Sequence, residues 1–116
     1  MASIEFSRGI VEEIVPDVRV TRSRNGKGGT ATFRFDDPNV LKKDRTDEVT
    51  GMYLIDNEGE IVTREVKGIF VNGQPRALEA VHIMRSEEEW ERFLRFMQAY
   101  AEEKGLGFTG SEPQAE

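Results

Sequence analysis

PDVRVTRSRNGKGGTATFRF, residues 16–35, decides the fold. Val18 and Val20 alternate with Arg19 and Thr21, and Ala31, Phe33 and Phe35 alternate with Thr30, Thr32 and Arg34. A period of two marks half-buried strands, because successive side chains point to opposite faces. Asn25-Gly26 between the runs is a preferred two-residue hairpin turn, since both positions tolerate positive φ. That turn sets Val20 opposite Ala31 and Val18 opposite Phe33. It gathers Arg19, Thr21, Thr30, Thr32 and Arg34 on the other face. A four-residue loop would shift the register and still pair apolar with apolar. The glycines around Lys27 also raise the possibility of a phosphate cradle, which the pattern does not support. A Walker loop needs Gly-Lys followed by Ser or Thr and then a helix. Here Lys27 precedes Gly28 and a β-branched, aromatic strand, and Ala31 stands where a dinucleotide fingerprint needs its last glycine.

Working outward, FDDPNVLKKDRTDE reads as a loop with one helical turn at Pro38 to Leu41. EVTGMYLI and EIVTREVKG follow, joined by Asp56-Asn57-Glu58-Gly59, which predicts a second hairpin with Leu54 opposite Ile61 and Tyr53 opposite Val62. Both faces of residues 52–55 are apolar, so that strand is expected to be central and covered on both sides. IFVNGQPRALEAVHIM gives a third turn at Asn72-Gly73, with Pro75 limiting the pairing after it, and a strand over about Ala77 to Met84.

The last element has another period. Ser86 with Glu89 forms a capping box, and Glu87, Glu88 and Glu89 suit the positive end of a helix. Trp90, Phe93, Leu94, Phe96, Met97, Tyr100 and Ala101 fall within an arc of about 160° at roughly 100° per residue. Gly105 is the expected helix stop, and Phe108 beyond it either closes the core edge or stands exposed. The predicted class is therefore α+β. It consists of a mainly antiparallel sheet, curled or sandwich-like, with a long C-terminal amphipathic helix packed on it. Residues 1–110 are expected to form a single domain and 111–116 a disordered polar tail.

The net charge of −6 argues against nucleic acid as a partner of the whole molecule, though not against a local basic face. The chain has no cysteine, which removes thiolate metal sites, iron–sulfur clusters and thiol nucleophiles. Residues 1–10 lack the apolar core of a signal peptide, and no apolar run is long enough to span a membrane. Direct membrane insertion is not expected.

His82, the only histidine, sits between Val81 and Ile83 in a strand, with no nucleophile or carboxylate set beside it. A structural role is expected. The carboxylates at Asp36-Asp37, Asp56 and Glu58, and Glu87 to Glu89 are explained by turns and capping. No catalytic or metal-ligating residue and no cofactor is predicted. The basic cluster is more informative: Arg19, Arg22, Arg24 and Lys27, with Thr30, Thr32 and Arg34 across the hairpin, form the candidate partner-binding residues. A solvated edge protected by charge is the plain reading. A docking face for acidic or carbonyl-rich segments is the functional one, because the arginine fork gives two directed hydrogen bonds. Arg22 and Arg24 share the parity of Val18 and Val20, so a straight strand would point them at the core. Burying unpaired guanidinium groups is costly. Both are therefore expected to project beside the turn, and their joint removal to leave the fold nearly unchanged.

FSRG, PDVRVTRSRNGKGGTATFRF, TGMYLIDNEGEI, REVKGIFVNGQP, EAVHIM and EEWERFLRFMQAYAEEKGLGF occur in this order. Together they resemble the small photosystem II assembly proteins of the Psb-twenty-eight (Psb28) family, over about residues 3–108. The resemblance implies a mostly antiparallel β fold with a C-terminal helix and a non-catalytic assembly and repair factor. Its partners would be immature photosystem II intermediates on the cytoplasmic (stromal) face of the thylakoid. There it would contact reaction-centre subunits and the C-terminal tail of the larger core antenna protein, which adds to the family's sheet. A peripheral location and a monomeric free state are expected, as is a cyanobacterial member or a mature chloroplast form. The alternative class is a single-stranded nucleic-acid binder using Arg19, Arg22, Arg24 and Phe33 or Phe35. Parity opposes it, since both phenylalanines lie on the apolar face.

Overall fold

The computed structural model describes residues 1–42 and 48–105; Phe108 and the predicted tail lie outside them. Among these residues eight strands precede one α-helix: β1 Ser3–Ser7, β2 Ile10–Val11, β3 Asp17–Arg22, β4 Gly29–Asp36, β5 Met52–Asp56, β6 Gly59–Thr63, β7 Val66–Val71, β8 Gln74–Met84 and α1 Glu87–Lys104. They form two four-stranded antiparallel sheets, ordered β2-β1-β5-β6 and β3-β4-β8-β7. The expected α+β class holds, with the β part divided into two open sheets.

The registers follow the alternation of the sequence. Val18 pairs with Phe33 and Val20 with Ala31. Leu54 pairs with Ile61 and Tyr53 with Val62. Asn72 and Gly73, both at positive φ, make the predicted two-residue turn. The helical turn expected after Pro38 is a short 3₁₀ helix, Asn39–Leu41. Its free N–H groups are met by Glu12, a buried carboxylate that accepts from Asn39 at 2.8 Å and from Val40 at 3.0 Å.

Three details depart from expectation. β1 and β2 come from residues for which no element was foreseen; Ile4 and Phe6 alternate inward from β1, which pairs with β5. EIVTREVKG is not one strand, because the chain leaves the first sheet after Thr63 and enters the second at Val66. The Thr63 hydroxyl donates to the Val81 carbonyl at 2.8 Å, and the Val81 N–H donates to the Glu65 carbonyl at 3.0 Å, fixing the crossing. Finally, β8 begins at Gln74, and Pro75 lies within it opposite Phe70. That position is next to a bulge at Arg76 of β8, opposite the edge strand β7, and past the end of β4, where no ladder bond needs its missing N–H.

The core lies between the sheets and α1. Phe6 meets Phe35 edge-to-face at 4.8 Å, and Phe33 meets Phe93 at 6.0 Å. Trp90, Phe93, Phe96, Met97, Tyr100 and Ala101 are the buried face of the helix, as its periodicity requires. Burial pushes the Tyr100 hydroxyl up to about 12, with Glu12 adding to the effect. The Ser86 side chain accepts from the Glu89 N–H at 3.1 Å, while the Glu89 carboxylate reaches back to the Arg85 N–H rather than to Ser86. Gly105 stops the helix in the left-handed region. Arg92 grips Asp56 with two bonds, at 2.7 and 2.8 Å, and Arg95 binds Glu58, so the helix is bolted to the β5–β6 turn.

β5 is central, as expected, but its second face is closed by side chains rather than by another layer. The Arg8 guanidinium lies 4.1 Å over the Tyr53 ring and is held there by two bonds to Glu60. Hydrogen bonds from Thr50 and from Arg64 to the Tyr53 hydroxyl hold its pKa below the usual phenol value.

Candidate functional site

Among the described residues β3 is an edge strand, with β4 its one neighbour in the sheet. Its outer rim therefore carries unpaired main-chain groups along Asp17–Arg22, the ordinary template for an incoming strand. The basic residues singled out from sequence all lie on this strand, its turn or its partner, and the fold sorts them into three groups.

The first group is the outer face. Arg19 pairs across the ladder with Thr32, Thr21 with Thr30 and Asp17 with Arg34, which brings Arg19, Thr30, Thr32 and Arg34 together as expected. A shallow groove here is lined by Asp17, Val18, Arg19, Thr32, Arg34 and Glu79. Its two carboxylates make the face mixed in charge rather than plainly basic. Arg34 also engages Asp36 at 3.0 Å.

Arg24 and Lys27 form the second group, exposed on the turn. The turn is not the predicted Asn-Gly pair. The Gly26 N–H donates to the Ser23 carbonyl, so Arg24 and Asn25 are the central residues and Gly26 follows at a φ of 74°. The strands keep the predicted register, and the longer loop is absorbed between Ser23 and Gly28. The Asn25 side chain accepts from the Lys27 N–H at 2.8 Å. The glycine run has a packing reason. A Cβ on Gly28 would lie 2.1 Å from the Met84 carbonyl oxygen, and one on Gly29 would lie 2.5 Å from the Trp90 ring. These glycines admit the end of β8 and the start of α1, and this answers the phosphate question raised by the sequence.

Arg22 is the third group, and it corrects an expectation. It does not project beside the turn. Its guanidinium stacks 4.4 Å from the Trp90 ring, donates to the Gly26 carbonyl at 2.7 Å and binds the Glu87 carboxylate at 2.8 Å. Its side chain is 23% exposed. The parity that aims Arg22 inward is obeyed, and burial is made tolerable by an aromatic face and a carboxylate at the helix start. Removal of Arg22 is therefore not expected to leave the fold untouched. Sequence reading missed this because Glu87 was fully explained as a dipole partner and Trp90 as core. An inward-pointing arginine that needed a carboxylate was the available signal.

His82 lies on the core side of β8, tilted against Phe93 at 5.7 Å, and burial lowers its pKa. Phe33 and Phe35 are fully buried, so the hairpin offers no aromatic platform for bases, against the nucleic-acid alternative. Among the described residues, no helix is long and apolar enough to cross a membrane.

Architecture and edge together define an α+β protein of two open antiparallel sheets with one rim free beside basic side chains. Comparison with known proteins makes the assignment particular. The family model described as "Psb28 protein" matches residues 4–108. A relative from Synechococcus elongatus is 64% identical over 108 residues, covering 93% of this chain and 96% of its own. One from Nostoc sp. is 61% identical over 111 residues, covering 96% and 100%. A third, from Synechocystis sp., is 57% identical over 112 residues, covering 97% and 100%. Each is named "Photosystem II reaction center Psb28 protein". The chain belongs to the Psb28 family.

Proposed function

We propose that this protein is a non-catalytic factor that associates with photosystem II while the complex is assembled or repaired. It binds peripherally at the cytoplasmic (stromal) face of the thylakoid, contacts reaction-centre subunits, and takes the C-terminal tail of the larger core antenna protein as an added strand. The photosystem connection rests on family membership and on the relatives' name. The strand-addition step rests on one observation, the free main-chain rim of β3 flanked by Arg19, Arg24 and Lys27 on a chain of net charge −6. Main-chain bonds along that rim supply affinity, and the cations orient and speed the encounter with an acidic or carbonyl-rich segment.

The reading is tested by affinity capture from detergent-solubilised cyanobacterial membranes. Reaction-centre and core antenna polypeptides of immature complexes should co-purify with the tagged chain, and the mature, oxygen-evolving complex should not. Recovery of no photosystem II polypeptide, or of the mature complex alone, would overturn it. At low salt, Arg24→Ala with Lys27→Ala should weaken capture, and the difference should shrink as salt screens the wild-type attraction. Equal capture at low salt would return the cluster to a solvated edge.

A further inference from the structure

Arg22 is fastened at both ends of a short path. One end is the β3–β4 loop, through the Gly26 carbonyl; the other is the first turn of α1, through Glu87 and the Trp90 ring. The loop it fastens carries Arg24 and Lys27. Without this tie the loop would hang on the Ser23–Gly28 main-chain bond at 3.2 Å, the turn bond from Gly26 and the Asn25 side chain. Glycines at 26 and 28, both at positive φ, give such a loop many alternative conformations. Two long exposed cations on a loop free to move would lose much of their orienting value, because ordering them on binding costs entropy.

We propose that Arg22, Trp90 and Glu87 form a strut that presets the loop, making Glu87 a positioning residue for the docking edge although it lies on the helix. The proposal rests on the docking reading given above. Its partner chemistry is an extended acidic segment met by Arg24 and Lys27. Electrostatics alone gives the opposite expectation for Glu87. It is a carboxylate near a basic loop, so its removal should favour an acidic ligand and should release Arg22 to join the contact. A strut requires that removal weaken binding. The two accounts differ in sign, and Glu88 supplies the control: it is the next carboxylate in the same helical turn, exposed, with the same charge and the same relation to the helix dipole.

The experiment compares wild type, Glu87→Ala and Glu88→Ala in two measurements. Amide hydrogen exchange on the free proteins should show the Gly26 and Lys27 amides exchanging faster in Glu87→Ala by roughly tenfold, with Glu88→Ala unchanged. Binding is then followed by fluorescence anisotropy with a labelled decapeptide alternating glutamate with valine and threonine. Glu88→Ala should bind as tightly as wild type or tighter, and Glu87→Ala more weakly by about threefold or more. Binding by Glu87→Ala as tight as by Glu88→Ala would overturn the positioning role, as would unchanged loop exchange. If the loop amides respond but wild type does not bind the peptide, the docking reading itself fails. The strut would then be structural alone.

Discussion

Two hairpins of the same sheet carry the same dipeptide at their turns and use it differently. In β7–β8, Asn72 and Gly73 both take positive φ and form the two-residue turn that local preference dictates. In β3–β4, Asn25 is a central turn residue without positive φ, only the glycine of the dipeptide takes the left-handed conformation, and the loop is longer. The first hairpin runs beyond the end of β4, which pairs no further than Ala77. Phe70 and Val71 near its tip are 62% and 49% exposed, and nothing lies within 4 Å of a Cβ on Gly73. The second hairpin is pressed against the end of β8 and the start of α1 through Gly28, Gly29 and Arg22. Local turn chemistry prevails where the chain is free, and tertiary contacts override it where the chain is held.

The contrast can be broken at the anchor. Trp90→Ala removes the ring under Arg22 and beside Gly29, and should cost on the order of 3–5 kcal/mol in urea unfolding. An unchanged midpoint would mean that α1 holds neither hairpin. Alanine at the two turn glycines sharpens the comparison. Gly28→Ala must displace the Met84 carbonyl besides adopting a left-handed φ, and should cost about 3 kcal/mol or more. Gly73→Ala meets open space and should cost about 1–2 kcal/mol from the backbone conformation alone. Equal losses would show that packing at Gly28 is looser than the geometry implies.

Acid should loosen the anchored end. His82, beside Phe93, has its folded pKa lowered by burial below 6.5, so the unfolded chain binds the proton more tightly and stability falls as pH drops below that value. Asp56 adds a second step. Burial raises its pKa, but Arg92 and the Glu58 and Gly59 amides outweigh this and leave it below 3.8. Its contribution is present above that value and is lost as pH falls through the lowered folded pKa. Urea midpoints against pH should show both steps, and His82→Gln should abolish the upper one while sparing the lower. The smallest effect belongs to the free hairpin: Phe70→Thr should change stability by no more than about 0.5 kcal/mol. A larger loss would show that the tip packs against something.

What was legible in the sequence follows the same division. Alternation within Val18–Thr21 and Thr30–Phe35, and the turn at Asp56 to Gly59, fixed two sets of cross-strand partners, and Ser86 and Gly105 marked the helix ends, because these signals act over a few residues. The crossing at Arg64 and Glu65 was hidden because the bonds that make it run from Thr63 and Glu65 to Val81, which no local pattern announces. Arg22 was misplaced for a related reason. Its inward parity was visible, but the partners that make burial tolerable lie on a helix more than sixty positions away. The outer face of Arg19, Thr30, Thr32 and Arg34 was assembled correctly, since it needs nothing beyond one hairpin.

Residues 3–36 and 52–84 follow the same strand order. β1 to β4 correspond in order to β5 to β8, and each sheet is centred on an antiparallel pair of equivalent strands, β1 with β5 and β4 with β8. That is the geometry of a two-fold dimer whose subunits share one chain, with α1 the element that breaks the symmetry. Each half by itself would leave as bare rims the two strands that the whole molecule places at its centre. Severed between β4 and β5, the halves would carry mutually complementary edges and should reassemble as a heterodimer. By the same complementarity, two intact chains can trade halves, which makes domain exchange the characteristic hazard of this topology.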